Sequence, residues 1–226
     1  MNNVLVVAAH PDDEVLGCGG TIARLRASAN VHMVVLGEGV TSRYVSRRNA
    51  PKSAVKRLLA QARRAAAELG ATSIEFAGLP DNRFDELALL EIVKRVERAI
   101  RRRQPQVVYT HHPGDLNIDH QLTFRAVLTA TRPVPNCSVK ELYTFEVPSS
   151  TEWAFHRMES SFRPNVFVDI SATLEIKLRA MRRYASEVRT FPHPRSPEAL
   201  RALAQRWGSV AGVGCAEAFE LIRSVR

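Results

Sequence analysis

The sequence predicts an α/β protein built on an open sheet, and three observations indicate this. Residues 4–7 and 31–36 are apolar runs rich in valine, which is typical of strands buried on both faces of a sheet. Amphipathic segments at residues 52–69, 86–103 and 171–188 predict helices that cover such a sheet. A length of 226 residues fits one domain, so we expect a single domain over residues 1–226.

Composition restricts the class of protein and its partners. Hydrophobic residues make up 45% of the chain and charged residues 24%, which is ordinary for a globular protein with a sizeable core. The net charge of +9 and the pI near 10.1 raise the question of anionic partners. However, the basic residues are scattered over helical segments with few interleaved aromatic residues. We therefore expect a solvated basic surface and no nucleic-acid partner.

The cysteines and the hydropathy pattern bear on the compartment. Cys18, Cys137 and Cys215 are odd in number and far apart, which argues against a disulfide framework. No apolar run approaches the ~20 residues that a membrane span requires, and the N-terminus lacks the pattern of a secretion signal. We expect a cytoplasmic protein with no membrane span.

The first apolar run leads directly into a polar group that consists of His10, Pro11, Asp12, Asp13 and Glu14. Open α/β sheets place their sites at the carboxyl ends of strands. An imidazole and a carboxylate three positions apart, His10 and Asp13, can both reach one divalent cation. Asp12 would then be free to act as general base on a water molecule at that cation. In the alternative interpretation, His10 packs at the strand end and the acids cap the next helix.

A second polar group follows the strand predicted at residues 105–110. His111 and His112 lie at the end of that strand, and a turn then leads to a helix whose first turn contains His120. We expect His120 to be the third metal ligand. Asp119 beside it is an expected acceptor for an imidazole N–H, a contact that fixes the tautomer and leaves a nitrogen for the metal. Both polar groups follow strand ends, so we expect them to converge on one edge of the sheet.

The glycines after the first polar group do not form a nucleotide motif. Gly17, Gly19 and Gly20 precede a helical pattern at residues 21–27 but lack both the dinucleotide fingerprint and the P-loop lysine. We interpret them as positions of close packing between a helix and the sheet. At the other end of the chain, residues 200–224 predict a helix, a glycine-rich turn and then either a short strand or a helix.

Charged residues on three loops are candidates for substrate contacts. Arg43 follows the second strand, Asp81 and Arg83 lie on a loop after the third, and His193 and Arg195 lie on a proline-rich connector. In the functional interpretation Arg43, Asp81, Arg83 and His193, together with His112 after the fourth strand, bind hydroxyl groups or a charged substituent of a substrate, and the connector with His193 and Arg195 folds over the site. In the alternative interpretation these side chains lie on exposed turns and have no functional role.

The strings AHPDDEVLGCGG and HHPGDLNIDH together resemble the motifs of the PIG-L/LmbE-like family of zinc-dependent N-deacetylases, and the likeness extends along nearly the whole chain. The resemblance implies a Rossmann-like three-layer α/β fold with a mostly parallel central sheet. It also implies hydrolysis of a linear amide C–N bond, the removal of an acetyl group from an N-acetylglucosamine-type amide. The implied cofactor is Zn²⁺, and the implied substrate is a small N-acetylated amino sugar.

Carried over position by position, the resemblance assigns the zinc ligands to His10, Asp13 and His120. It makes Asp12 the general base and Asp119 a neighbour of the base and the metal site. Many members of the family have a His where this chain has Asn117, and that His stabilises the oxyanion or protonates the leaving amine. An Asn amide can donate a hydrogen bond to an oxyanion, but it cannot supply a proton. The proton donor must then be Asp12 after it has taken a proton from water, or another group such as His112 or His193.

Two other functions are consistent with parts of the sequence. The main alternative is a nucleotide- or sugar-binding Rossmann-like module without catalysis, although the glycine fingerprint of such modules is missing. A nucleic-acid-binding protein is suggested by the net charge alone. A ligand set of two His and one Asp also accepts iron, cobalt or nickel, so the native metal stays open. Arg-rich helices and proline-rich loops leave room for a homo-oligomer.

Overall fold

The computed structural model describes residues 2–158 and 160–225, and within them seven strands form one sheet that six α-helices cover. The strands are β1 (Asn2–Ala8), β2 (Ala29–Gly37), β3 (Ser73–Leu79), β4 (Val107–His111), β5 (Glu141–Phe145), β6 (Val166–Asp169) and β7 (Ala216–Ser224). The helices are α1 (Asp13–Leu25), α2 (Lys52–Leu69), α3 (Leu89–Arg103), α4 (Ile118–Ala130), α5 (Leu174–Arg183) and α6 (Pro197–Ala211).

The order of the strands creates the crevice in which a site is expected. The order is β3-β2-β1-β4-β5-β7-β6; β1 to β5 run parallel, and β7 is antiparallel to both of its neighbours. This confirms the predicted Rossmann-like fold with a mostly parallel sheet. The chain order reverses between β1 and β4, and sheets of this kind bind ligands outside the carboxyl ends of the strands at that point. The two polar groups of the sequence follow these two strands.

Two hydrophobic cores, one on each face of the sheet, hold the helices in place. Helices α1, α2 and α5 pack on one face, and α3 and α4 pack on the other. Successive residues of a strand point to opposite faces, so Val4 and Val6 of β1 join the first core while Leu5 and Val7 join the second. None of the described helices combines the length and the apolar character that crossing a membrane requires.

The boundaries of several elements differ from the sequence expectation for local reasons. Helix α2 begins and ends as predicted, and Gly70 terminates it with a φ of 76°. The helix expected from residue 86 begins at Leu89, because Phe84–Glu86 form a 3-10 turn. The helix expected to reach residue 188 ends at Arg183, where Tyr184 leaves the helical conformation and buries its ring. The C-terminal segment forms β7, a strand that pairs with two neighbours.

Helix α1 starts earlier than its sequence indicated and is broken in the middle. Helical spacing is evident only from residue 21, but α1 starts at Asp13, and Cys18 has a non-helical φ of −145° and ψ of 23°. The glycines around the break serve close packing, as expected. A Cβ atom at Gly17 would lie 2.2 Å from the ring of Phe145, so only glycine fits between α1 and β5.

A buried ion pair satisfies the backbone groups that the break leaves without helical partners. Glu217 of β7 accepts hydrogen bonds from the N–H groups of Gly20 and Thr21, at 2.8 and 2.7 Å. Lys177 of α5 donates to the carbonyl oxygen of Leu16 at 2.8 Å and to Glu217 at 2.6 Å. Both charged side chains are buried. The pair therefore joins the first turns of α1 to α5 and to the sheet.

Replacing Glu217 tests the importance of this ion pair. Glu217→Gln leaves the Lys177 charge buried without its counter-ion, so we expect the free energy of unfolding in urea to fall by about 3 kcal/mol. Glu68→Gln is the matched control, because Glu68 pairs with the half-exposed Arg179 of the same helix α5. Loss of that surface pair should cost less than about 1 kcal/mol. Equal effects of the two substitutions would contradict a special role of the buried pair.

Candidate active site

The turn between β1 and α1 holds Asp12 in an unusual backbone conformation. Asp12 is the N-cap residue of α1 and has a φ of 109° and a ψ of −27°, which residues with side chains rarely adopt. Its N–H donates to Glu14 Oε2 at 3.1 Å, and the Tyr184 hydroxyl donates to the other carboxyl oxygen of Glu14. Glu14 and Tyr184 are completely buried. These contacts keep the turn, and thereby the Asp12 side chain, in one arrangement.

The end of β4 and the start of α4 supply the second half of the site. Asn117 is the N-cap residue of α4, and its side-chain oxygen accepts a hydrogen bond from the N–H of Asp119 at 2.8 Å. This cap fixes the first turn of α4, which contains His120. Because β1 and β4 are adjacent and parallel, that turn lies opposite the one that carries His10.

Donor atoms of His10, Asp13 and His120 converge between these two turns, and all lie within 4.8 Å of one another. Asp13 Oδ2 is 3.5 Å from His10 Nδ1 and 3.3 Å from His120 Nε2. A tetrahedral zinc ion with bonds of about 2.0–2.1 Å holds its ligand atoms about 3.3–3.5 Å apart. The three buried residues therefore fit a single divalent cation.

The second nitrogen of His10 faces carboxylates. His10 Nε2 lies 2.8 Å from Asp119 Oδ2 and 3.4 Å from Asp81 Oδ1, so these three residues also bring possible ligand atoms together. However, the Asp119 carboxylate already accepts hydrogen bonds from the N–H groups of Asn82 and Phe84, at 2.7 and 2.9 Å. We assign a proton to Nε2, donated to Asp119, because this tautomer leaves Nδ1 for a cation.

The imidazole of His120 also has a carboxylate behind it, one to which the sequence gave no role. Asp115 Oδ1 lies 3.1 Å from His120 Nδ1. Asp115 is completely buried and accepts hydrogen bonds from Thr151 Oγ1 at 2.7 Å, from the N–H of Asn117 at 2.8 Å and from the Ser150 hydroxyl. The sequence signal for Asp115 is a Pro-Gly-Asp turn, which predicts a change of chain direction and no contact with the site.

A cavity of about 150 Å³ opens over the donor atoms and has a polar lining. The candidate residues from the sequence that line it are His10, Asp12, Asp13, Arg43, Asp81, Asn117, His120 and Arg195. The other polar residues of the lining are Ser42, Asn82, Ser149, Ser150 and Glu187. Asp119 lies behind this lining and supports His10.

Three residues expected to contact a substrate do not line the cavity. Arg83 forms an exposed ion pair with a glutamate three residues further on. His112 is completely buried, with Nε2 3.2 Å from Glu220 Oε2. His193 Nδ1 accepts a hydrogen bond from the N–H of Arg195 at 3.1 Å, so the imidazole stabilises the connector. Arg83, His112 and His193 therefore lie outside this lining, and their contacts with a substrate stay a prediction.

Asn117 lines the cavity, but both ends of its amide are engaged. The oxygen caps α4, as described above, and Nδ2 donates to Asn82 Oδ1 at 2.8 Å. These contacts join the start of α4 to the loop that follows β3. An amide nitrogen carries two N–H groups and Asn82 takes one of them, so donation to an oxyanion stays a prediction.

A known family matches the part of the chain that contains both polar groups. Residues 5–131, more than half of the 226 residues, match the sequence profile of a family described as "PIG-L: GlcNAc-PI de-N-acetylase". The matched range contains the three converging ligand residues. The chain belongs to the PIG-L family.

Two curated relatives of this PIG-L protein are described as deacetylases. The uncharacterized deacetylase YaiS of Escherichia coli K12 is 27% identical over 193 residues, which cover 81% of this chain and 90% of the relative. Diacetylchitobiose deacetylase of Thermococcus kodakarensis is 28% identical over 238 residues, which cover 100% of this chain and 85% of the relative.

Solved structures with the PIG-L fold include more than one kind of enzyme. N,N'-diacetylchitobiose deacetylase from Pyrococcus horikoshii superimposes with a TM-score of 0.77 and 24% identity, over 98% of this chain and 84% of the other. GalB, the 4-carboxy-2-hydroxymuconate hydratase from Pseudomonas putida KT2440, superimposes with a TM-score of 0.78 and 24% identity, over 100% and 98%. The fold alone therefore does not decide the reaction.

The carboxylates of the site raise the pKa values of two of its imidazoles. Burial lowers the pKa of His10, but hydrogen bonds with Asp119 and Asp13 raise it overall, well above its ordinary value. Burial also lowers the pKa of His120, whereas Asp13 and Asp115 raise it to about 9. Burial alone would raise the pKa of Asp13, but the neighbouring imidazoles, above all His120, hold it well below its ordinary value. A divalent cation would replace the imidazole protons, because metal ligands must be deprotonated.

His111 is a neutral residue that packs against His120. Burial lowers the pKa of His111 to about 3. Its Nε2 accepts a hydrogen bond from the N–H of Ala9 at 2.8 Å, and its ring stacks on that of His120 with centroids 4.0 Å apart. His111 therefore fixes the position of the His120 ring without adding charge.

Asp12, the general base expected from the sequence, has a raised pKa. Burial raises the pKa of Asp12 to about 7, although the charge of Arg195 lowers it. A base works best when its pKa is near the working pH. Arg195 lies on the connector that the sequence placed either over the site or on an exposed turn, and it lines the cavity. Glu187 also lines the cavity. The sequence did not indicate this, because it predicted that residue 187 lies within a helix that extends to residue 188.

Glu14 allows a test of how strongly the turn is buried. Burial raises the pKa of Glu14 from 4.5 to about 8, although a hydrogen bond with Tyr184 lowers it. Since the folded-state pKa is the higher one, the unfolded chain loses its proton first, and stability falls as pH rises through this window. Glu14→Gln cannot ionise, so its stability should not fall in this way. In urea unfolding, we expect its free energy of unfolding to rise relative to that of the wild type by on the order of a few kcal/mol between pH values below about 4.5 and above about 8. The exposed Glu91→Gln should follow the wild-type curve, and a pH-independent effect of Glu14→Gln would contradict the raised pKa.

Proposed function

We propose that this PIG-L protein is a zinc-dependent N-deacetylase that removes the acetyl group from an N-acetylglucosamine-type amide. The observation that carries the proposal is the convergence of His10, Asp13 and His120 within 4.8 Å, beside the buried Asp12 that lines the same cavity. Two His and one carboxylate are a ligand set of catalytic zinc sites, which keep a position open. The description of the family and the names of the two curated relatives support the reaction.

The proposed ligand residues favour zinc, although iron, cobalt or nickel use similar sets. When bound, the cation supplies Lewis-acid polarisation of the acetamide oxygen and lowers the pKa of a water molecule. The protein holds the two imidazoles in place through the carboxylates behind them. Asp119 supports His10, and Asp115 lies against His120.

Proton transfer is proposed to depend on one residue. Asp12 takes a proton from the attacking water and then returns it to the leaving nitrogen. The other proton donors that the sequence suggested, His112 and His193, do not line the cavity. Asn117 lines it but cannot supply a proton. A single carboxyl group with a near-neutral pKa can perform both transfers in succession.

The polar lining supports a small hydroxyl-rich substrate. Asp81 Oδ2 accepts hydrogen bonds from the N–H and the hydroxyl of Ser42, at 2.9 and 2.6 Å, and Arg43 donates to Glu187 at 2.6 Å. We propose that Arg43 and Asp81 exchange part of these contacts for sugar hydroxyl groups. A small molecule, and not a nucleic acid, is the proposed partner.

The extent and the location of the protein are proposed on similar grounds. We propose that residues 1–226 form one domain, since the site uses β1 at one end of the chain and Arg195 near the other. The three cysteines are free, which is typical of proteins in a reducing compartment, and this supports a cytoplasmic location.

A binding module without catalysis has less support. Such modules bind phosphate at a helix N-terminus through backbone N–H groups. Helix α1 instead starts with acidic residues, and the N–H of Asp12 is bound to Glu14. The carboxylates in this turn would repel a phosphate.

Metal content tests the ligand set. We expect the purified protein to hold about one equivalent of zinc and to release amine from a member of a panel of N-acetylglucosamine derivatives, in a reaction that a chelator abolishes. His120→Ala removes a ligand and should lose the metal, whereas the exposed His156→Ala should keep both metal and activity. Metal that survives the loss of His120 would contradict the ligand set. Bound metal without turnover on the panel would count against the substrate class.

A substitution of Asp12 tests the general base. Asn tolerates a positive φ and has the size of Asp, but it cannot accept a proton from water. We expect Asp12→Asn to keep its zinc while kcat falls roughly 10²- to 10⁴-fold. Asp85→Asn, on an exposed turn, should behave as wild type. Wild-type turnover in Asp12→Asn would exclude Asp12 as the base.

A further inference from the structure

The connector between α5 and α6, residues 184–196, is anchored at both ends. The ring of Tyr184 is buried at its start, and Ser196 at its end caps α6 by accepting a backbone N–H hydrogen bond at 3.0 Å. Arg195 directly precedes this cap, and its N–H donates to His193 Nδ1 at 3.1 Å. The backbone at Arg195 is therefore fixed without help from the Arg195 side chain.

The guanidinium group of Arg195 joins two sides of the cavity. Its Nε donates to Ser149 Oγ at 2.8 Å, and its Nη1 donates to Asp12 Oδ2 at 3.0 Å. Glu187 Oε2 lies 3.6 Å from Nη1. A quarter of the Arg195 side chain is exposed, so its charge acts on Asp12 in a largely dry environment.

Only one oxygen of the Asp12 carboxylate is held. Oδ2 accepts from Arg195, whereas no hydrogen bond from a side chain or backbone group of residues 2–158 and 160–225 reaches Oδ1. Asp12 lines the cavity, and Oδ1 is not among the buried polar atoms of the described residues that lack a partner. Oδ1 is therefore the carboxylate oxygen that faces the cavity. Arg43, the other arginine of the lining, donates to Glu187 instead.

We propose that Arg195 is a positioning residue of this site: it fixes the Asp12 carboxylate through Oδ2, so that Oδ1 faces the reacting water. The inference rests on the proposed function, in which Asp12 is the general base. An arginine suits this task, because one planar guanidinium reaches Ser149 and Asp12 at the same time. The single ammonium of a lysine cannot reproduce that fork.

Steady-state kinetics with chemical rescue test the proposal. Misplacement of a catalytic group by about 1 Å can cost 10²-fold in rate, so we expect Arg195→Ala to lower kcat roughly 10²-fold. KM and zinc content should change little. Free guanidinium, well below denaturing concentrations, should restore part of the activity, and Arg195→Lys should lie between Arg195→Ala and wild type. A structural role alone would not respond to guanidinium.

Arg189→Ala is the matched control for this experiment. Arg189 lies on the same connector but is exposed, and its hydrogen bonds go to the carbonyl groups of Ser186 and Val188. We expect wild-type kinetics from Arg189→Ala and no effect of guanidinium on it. Wild-type kcat in Arg195→Ala, or a loss that guanidinium does not relieve, would overturn the proposal.

Thermal unfolding of the metal-free protein gives a readout that does not depend on activity. If Arg195 holds Asp12, the Tm shifts of Asp12→Asn and Arg195→Ala should not add in the double variant. Additive shifts would overturn the inference whatever the reaction. A wild-type protein that releases no amine would count against the proposed function alone, since the coupling is measured without substrate.

Discussion

Three consecutive acidic residues at the start of α1 must remain in a nearly dry environment, and the rest of the site depends on how the protein meets this constraint. Asp12, Asp13 and Glu14 are at most 3% exposed, and burial of unpartnered charge is costly. Each carboxyl group has a different partner. Asp12 pairs with Arg195, and Asp13 lies beside the imidazoles of His10 and His120. Glu14 accepts a hydrogen bond from the hydroxyl of Tyr184. These partners come from the turn after β1, from α4 and from the connector between α5 and α6, so the acidic turn is assembled only when the whole fold has formed.

The broken helix follows from the same constraint. The first turns of α1 lie between Asp12, with its positive φ, and the break at Cys18, and both ends are fixed from outside the helix. The ion pair of Lys177 and Glu217 satisfies the backbone around the break and anchors this short segment to α5 and β7. Strained backbone and buried charge both reduce stability, and proteins retain them mainly where a site must be held rigid before its ligand arrives.

The sequence predicted the fold and the convergence of the two polar groups because both depend on local patterns. Buried runs, polar residues at strand ends and helix signals are readable over a few residues, and parallel neighbouring strands bring their ends together. Contacts between distant residues are not readable in this way: Arg195 reaches Asp12 across 183 residues. Loop orientation is equally hidden, since no periodicity governs it, and so Asp81 lines the cavity whereas Arg83, two residues later, pairs at the surface.

The reaction at this cavity depends on its side chains, because the fold is shared by a deacetylase and a hydratase. Amide hydrolysis needs a group that removes a proton from water and a group that delivers one to the leaving nitrogen. Here Asn117 caps a helix and cannot supply a proton. Of the other carboxylates of the lining, Asp13 is a proposed metal ligand, and Asp81 and Glu187 accept hydrogen bonds from neighbouring side chains. In the proposed mechanism Asp12 then serves both steps, which is possible because they are consecutive and return it to its starting state. If the chemistry depends on this one carboxylate, its orientation controls the rate, and Arg195 is the residue proposed to set that orientation.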